Sequence, residues 1–288
     1  MKRQAYRAGS FYEADEGACR RAAAEFIDQA VAAELPETLY GGLVPHAGWM
    51  FSARTAAAAL KALASRDRLQ RVAIFGADHW GIGGSGSVYD AGAWETPLGE
   101  VAIDEPLASA LLRSVPALRS DPSAHAREHS IEVQLPLMRV LNEGVKVVPI
   151  AISPRAEAVE VGRAIGRVLA SDFPDASVLG STDLTHYGPQ YGFTPGGGGD
   201  AGLTWAKEND RRVMELIEAM RVDEILEETT AHQNACGGGA IAATMAAAAA
   251  MGATRGICLE YTSSAEVMKK MRMGLAEDAV GYAAIVFA

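Results

Sequence analysis

Two histidines stand just past the ends of apolar, strand-like runs, each next to a turn that contains glycine. The run 39–44 breaks at Pro45 and delivers His46 in Pro45-His46-Ala47-Gly48-Trp49. The run 71–76 opens into Ala77-Asp78-His79-Trp80, and a third run, 176–180, leads into Ser181-Thr182-Asp183-Leu184-Thr185-His186-Tyr187. In open α/β sheets, ligands and chemistry collect beyond the carboxyl ends of the strands. Three imidazoles delivered to that edge point to a metal or an acid–base site. Imidazole suits iron, copper and zinc alike, so the histidines do not choose the metal.

The neighbours of these histidines carry further possibilities. Asp78 is either a partner that orients His79 or a helix cap. Asp183 and His186 lie three apart, so a helical turn there would put both on one face as an acid–base or ligand pair. The alternative is a short helix capped by Ser181 or Thr182. His titrates near neutral pH, which fits His186 for moving a proton. Cys236 precedes Gly237-Gly238-Gly239 at the mouth of a small-residue helix. The positive end of the helix dipole lowers a thiol pKa, so Cys236 reads as a thiolate ligand or a nucleophile. Cys19 and Cys258 read as small apolar fillers.

His125-Ala126-Arg127-Glu128-His129 matches the His-x-x-Glu-His pattern of inverted zinc peptidases. Pro122 and Pro136 leave no room for the long helix that pattern needs, so Glu128 and His129 are read as partners or walls of the histidine site. No phosphate-binding glycine fingerprint and no Gly-x-Ser-x-Gly elbow is present.

The positioning elements follow from periodicity. Helices are predicted at about 15–33, 53–63, 105–114, 129–142, 155–170, 205–220, 222–229 and 237–251, and strands at 71–76, 87–89, 100–103, 145–152, 176–180, 256–262 and 280–287. Gly196 to Gly199 read as a mobile lid or a long surface connection. Strands and helices alternate without a linker-like break. The expectation is one α/β domain over 1–288, a three-layer αβα sandwich around a mixed, mostly parallel sheet.

With 49% hydrophobic and 22% charged residues, wholesale disorder is excluded. A formal net charge of −10 and the lack of a Lys/Arg run exclude nucleic acid as a partner. The most apolar stretch, 235–252, is nearly all Ala, Gly and Met, too weak in transfer energy for a membrane span. No apolar segment follows Met1-Lys2-Arg3, and the cysteines number three, so the expected location is cytoplasmic.

Taken in order, Arg7-Ala8-Gly9-Ser10-Phe11-Tyr12, Pro45-His46-Ala47-Gly48-Trp49, Ala77-Asp78-His79, Glu128-His129-Ser130-Ile131-Glu132-Val133-Gln134-Leu135-Pro136, Ser181-Thr182-Asp183-Leu184-Thr185-His186-Tyr187 and Asn234-Ala235-Cys236-Gly237-Gly238 resemble the Memo family, component B of the AmmeMemoRadiSam group. That family is similar to the class III extradiol (LigB-like) dioxygenases, whose Fe(II) is held by two His and one Glu beside an acid–base His. The resemblance implies that His46 and His79 are the ligand histidines, that His186 is the acid–base histidine, and that Cys236 replaces the Glu. It further implies one Fe(II) or Cu ion, since a thiolate favours copper or electron-rich iron and is itself oxidisable. Asp183 would flank the ion with His186, Glu128 and His129 would orient the ligands, and Trp49 and Trp80 would wall the pocket. The activity implied is oxidation of a small aromatic or phenolic substrate, with a radical-SAM protein as partner. Two other readings use the same pocket: a binding module for a peptide or protein, and metal-assisted hydrolysis with His186 as base.

Overall fold

The computed structural model describes residues 1–31, 34–274 and 276–288. Among them one mixed sheet gathers β1 (Lys2–Arg3), β2 (Gly41–Val44), β3 (Arg71–Gly76), β4 (Ser87–Val88), β5 (Ala93–Thr96), β6 (Gly99–Ile103), β7 (Arg119–Ser120), β8 (Lys146–Ala151), β9 (Ser177–Ser181), β10 (His186–Tyr187), β11 (Gly256–Ser263) and β12 (Ala279–Phe287). The main path runs β1-β5-β6-β8-β3-β9-β2-β12-β10, with β11 beside β12 and β4 beside β7 and β8. Its centre, β6-β8-β3-β9-β2, is parallel throughout. β12 joins it antiparallel, pairing Ile285 with Leu43. Strands buried on both faces read as unbroken apolar runs, and β2, β3 and β9 do so.

Helices cover both faces, completing the three layers. They are α1 (Glu16–Gln29), α2 (Trp49–Ala64), α3 (Glu105–Ser114), α4 (Leu135–Leu141), α5 (Glu157–Asp172), α6 (Gly199–Glu218), α7 (Ile225–His232), α8 (Gly238–Met251) and α9 (Ser264–Lys270). α2 packs on β2 and β12 with α1 and α4 behind it, while α8 packs on β9 with α5 against it. Along α8, every residue from Gly238 to Ala248 is buried. Its small side chains let α5 approach backbone to backbone: a Cβ on Gly162 would lie 2.1 Å from the Ala243 carbonyl oxygen. No helix among the described residues is long and apolar enough to cross a membrane.

Several boundaries differ from the sequence reading. α1 ends at Gln29, and of its expected tail residues 32 and 33 lie outside the described residues. α2 starts at Trp49 rather than at 53, because Gly48 serves as its N-cap two residues after His46. The predicted helix over 129–142 is instead a 3₁₀ turn, Glu132–Gln134, followed by α4. The cause is tertiary: the Glu128 carboxylate accepts the N–H groups of His129 and Ser130 at 2.7 and 2.9 Å, holding 128–131 out of helix. Asp183 to His186 does not turn helically either. His186 begins β10, paired with Val280 of β12. Of the four-glycine run, Gly199 already opens α6, and the Gly197 carbonyl accepts the Tyr187 hydroxyl at 2.5 Å.

Candidate metal centre

The parallel strands β2, β3 and β9 end side by side, and each is followed by a short connection carrying polar groups. Pro45 stops β2 and places His46 in a buried position. Its backbone N–H donates to Asp183 Oδ1 at 2.7 Å, which ties this turn to the one after β9. The His46 Nδ1 lies 3.0 Å from Ser181 Oγ. That hydroxyl donates its own hydrogen to the Ser130 carbonyl at 2.7 Å, so toward His46 it can only accept. The hydrogen-bond network therefore puts a proton on Nδ1 and turns Nε2 toward Cys236 Sγ, 3.3 Å away.

His79 follows β3 and is oriented in the same way by a different group. Its Nδ1 lies 3.0 and 3.1 Å from the two oxygens of Glu128, and its backbone N–H donates to the same carboxylate at 3.1 Å. Gly76 makes this approach feasible: a Cβ there would sit 2.7 Å from Ser130 Oγ, within the loop that carries Glu128. Burial opposes a charge on His79, but the Cys236 thiolate and Glu128 outweigh it and raise the pKa to about 10. Burial pushes Glu128 up, yet its bond to His79 and the Ser130 N–H hold it well below the usual carboxylate range. His129 stacks on His79 with ring centroids 4.8 Å apart, and burial together with the charge of His46 pushes its pKa down.

Cys236 enters from the opposite side of the sequence, two residues before α8. Its Sγ accepts the Asp183 N–H at 3.3 Å. Burial would raise the thiol pKa, but His46 and His79 beside it bring it down to about 6. One donor atom from each of His46, His79 and Cys236 fits within 4.8 Å of the others, and His79, Glu128 and His129 form a second such group.

The remaining predicted residues fall around this cluster. Asp183 is buried, which raises its pKa, and its carboxylate anchors the His46 turn. His186 stands apart from the three donors. Its Nδ1 donates to the Leu184 carbonyl at 3.0 Å, freeing Nε2, and it shares with Cys236 a cavity of ≈ 340 Å³ lined also by Pro154, Thr229 and Gln233. Asp78 spends its carboxylate on the Ile82 and Gly83 N–H groups, at 3.0 and 2.9 Å, shaping the loop rather than reaching a histidine ring. Trp49 is buried against Tyr12 and Phe26, and its Nε1 donates to the Val133 carbonyl at 2.9 Å. It lines a neighbouring cleft with Phe11, away from the cavity of His186. Trp80 is exposed and lies under the Arg127 guanidinium. His125 is buried with Nε2 2.9 Å from the Ser87 carbonyl, and burial pushes its pKa down to about 4.

Sequence reasoning missed Ser181 as the group that sets the His46 tautomer, and it missed Arg3. The buried Arg3 guanidinium donates to the carbonyls of His125 and Glu128 at 2.7 and 2.6 Å and to Glu132 Oε2 at 2.7 Å. Glu132 in turn accepts the Tyr12 hydroxyl at 2.7 Å. A buried arginine needs such partners, and nothing near Arg3 in sequence announces them. Glu132, inside the motif that begins at Glu128, was the available signal.

A family model described as "Memo-like protein" matches residues 3–286. A MEMO1 family protein of Methanopyrus kandleri is 38% identical over 298 residues, covering 100% of this chain and 99% of its own. MEMO1 family proteins of Methanothermobacter thermautotrophicus and Thermococcus onnurineus are 35% and 34% identical, with 96% and 97% of each chain covered. Among solved structures, an uncharacterized protein from Escherichia coli K12 superposes with a TM-score of 0.54 at 10% identity, covering 87% of this chain and 100% of its own. That last likeness concerns the fold alone.

Proposed function

This chain belongs to the Memo-like family, and from that premise we propose that it is a metalloprotein in which His46, His79 and Cys236 hold one iron or copper ion beside the His186 cavity. The observation that carries the reading is the orientation of the two imidazoles. Both have Nδ1 bound from behind, His46 by Ser181 and His79 by Glu128, and each offers a ring nitrogen within 4.8 Å of the Cys236 sulfur. Such backing fixes tautomer and ring plane in metal-ligating histidines. Two imidazoles and a thiolate fit iron or copper by ligand softness.

An ion bound there supplies Lewis-acid and redox chemistry toward dioxygen and a small aromatic or phenolic substrate. The protein's own residues do the rest. The cavity of ≈ 340 Å³ is large enough for a single-ring substrate. His186, held by Leu184, lines that cavity and takes or returns the proton of a substrate hydroxyl. Asp183 keeps the His46 and Cys236 turns together through its side chain and its backbone.

The test is metal content by mass spectrometry after anaerobic purification from the native host, beside the Cys236→Ala and His46→Ala variants. Near-stoichiometric iron or copper, lost in both variants, is the expected result, followed by oxygen uptake with catechols. Metal-free wild-type protein with an intact fold would sink the reading and favour a pocket that binds a peptide or protein instead.

A further inference from the structure

The chain has three asparagines, and two of them, Asn209 on α6 and Asn234 shortly before Cys236, are buried and bonded to each other. The Asn234 Nδ2 donates to the Asn209 backbone carbonyl at 3.0 Å and to Glu228 Oε1 at 2.9 Å. Two acceptors on that side fix the orientation of the amide and leave its Oδ1 buried without a partner. The Asn209 Nδ2 donates to Thr185 Oγ1 at 3.1 Å and to the His232 carbonyl at 2.9 Å. Thr185 directly precedes His186, and Asn234 stands two residues before Cys236. A chain of amides therefore runs from the His186 turn through α6 to the Cys236 turn.

The surrounding contacts anchor both ends of that chain. Asp210, the next residue of α6, accepts the Thr185 N–H at 2.8 Å and the Tyr261 hydroxyl at 2.7 Å, and a Cβ on Gly281 would collide with its carboxylate. Glu228 is gripped by Arg212 at 2.8 and 3.0 Å. Where the two turns meet directly, the Cys236 N–H donates to the Asp183 carbonyl at 3.2 Å, and Leu184 bridges to Ala235. An unsatisfied buried Oδ1 costs stability that an apolar side chain of equal size would not. What the Asn234 amide contributes is its two donor bonds, and they hold the segment that delivers Cys236 to the cavity it shares with His186.

We infer that Asn209 and Asn234 are positioning residues, a buried amide bridge that fixes the Cys236 turn against the His186 turn and so sets the place of the sulfur in the site. The inference rests on the proposed roles of Cys236 as a donor and His186 as the group that moves a proton, and it adds what holds the two in one frame. Neither amide lines the cavity, so the bridge acts through the chain around Thr185 and Asn234 rather than on a substrate. Hydrogen bonds weaken steeply away from their preferred geometry, so they fix a register that apolar packing alone leaves free to slide.

The experiment is amide hydrogen exchange on the metal-free full chain, read residue by residue by NMR, followed by titration with cobalt(II). Asn234→Leu keeps the volume and removes both donor bonds. Its Cys236 and Gly237 N–H groups should exchange about tenfold faster than in the parent, the worth of one net hydrogen bond, while Thr244 and Met245 in the middle of α8 keep the parental rate. Cobalt affinity should fall about 10- to 100-fold, with a weaker thiolate-to-cobalt absorption band. Equal acceleration at Cys236 and Thr244 would make Asn234 an ordinary structural residue and overturn the bridge, as would unmoved rates. Thr185→Val removes the acceptor of Asn209 at the other end and should loosen Cys236 in the same way, whereas Thr185→Ser, which keeps the hydroxyl, should match the parent. This pair decides the question if Asn234→Leu does not fold, and identical rates in the two variants would overturn the link between the turns. A parent that takes up no cobalt removes the metal centre and leaves the exchange rates to judge the bridge. A parent that binds cobalt, with exchange unmoved in the variants, keeps the metal centre and overturns the bridge.

Discussion

Along the contact of α5 with α8, Gly162 and Gly166 of one helix meet the backbone of Ala243 and Ala247 on the other. At the ends of β2 and β3, by contrast, Glu128, His79, His46 and Cys236 crowd together with opposite charges. The first region is buried, has Gly facing Ala at its closest approach, and tolerates no added volume there, since a Cβ on Gly166 would lie 2.3 Å from the Ala247 carbonyl oxygen. The second tolerates charge because every charged group is held by a partner. A single helix links the two: α8 begins two residues after Cys236 and continues as one wall of the helix contact. The seam therefore fixes where the thiolate stands.

Four changes would break or sharpen that contrast. Gly162→Leu forces the helices apart, so a loss of about 3 kcal/mol or more is expected in thermal or denaturant unfolding. If α8 positions Cys236, any folded fraction of this variant should also bind metal poorly. The second change concerns Asp210, a buried acid on α6 that accepts the Thr185 N–H and the Tyr261 hydroxyl and whose pKa burial raises to about 6. Its folded pKa lies above its unfolded one, so its favourable contribution is complete below the unfolded value, near pH 4, and is lost as pH rises through about 6. Unfolding between pH 4 and 7 should show wild type losing on the order of 2–3 kcal/mol relative to Asp210→Asn. An unchanged difference across that range would remove Asp210 as the cause.

Glu128→Gln should be milder in stability and sharper in function. With the His79 ring no longer held by a charge, metal affinity measured against a competing chelator should fall about 10- to 100-fold. An equal loss on Ser181→Ala would make the neutral and the charged supports equivalent. The smallest effect belongs to Trp49→Phe, which keeps the packing against Tyr12 and Phe26 and removes one buried hydrogen bond to Val133. About 1 kcal/mol of stability and no change in metal content are expected, since Trp49 faces the neighbouring cleft.

Much of the frame was legible because β2, β3 and β9 announce themselves as apolar runs ending in proline, glycine or a polar cluster. The chain order of motifs pointed to the family, which the matching relatives bear out. Other features depend on partners distant in sequence. The spacing of apolar residues over 129–142 suits a helix, yet Glu128 captures the first N–H groups and the turn tightens. Asp183 and His186 share no helical face because β12, almost a hundred residues later, pairs with His186. The Cys236 thiol is lowered chiefly by the two imidazoles rather than by helix position alone, a proximity no local pattern contains. Arg3 is the extreme case: its role exists only once residues 125 to 132 have folded over it.

The placement of β12 has a consequence for biosynthesis. This strand covers the edge of β2 opposite β9, and β2 is the strand that presents His46. Cys236 reaches His46 across 190 positions of sequence. During translation the histidines emerge early, the sulfur follows late, and the sheet that fixes all three cannot close until Ala279–Phe287 has left the ribosome. Vectorial synthesis thus makes assembly of the three donors wait for β12.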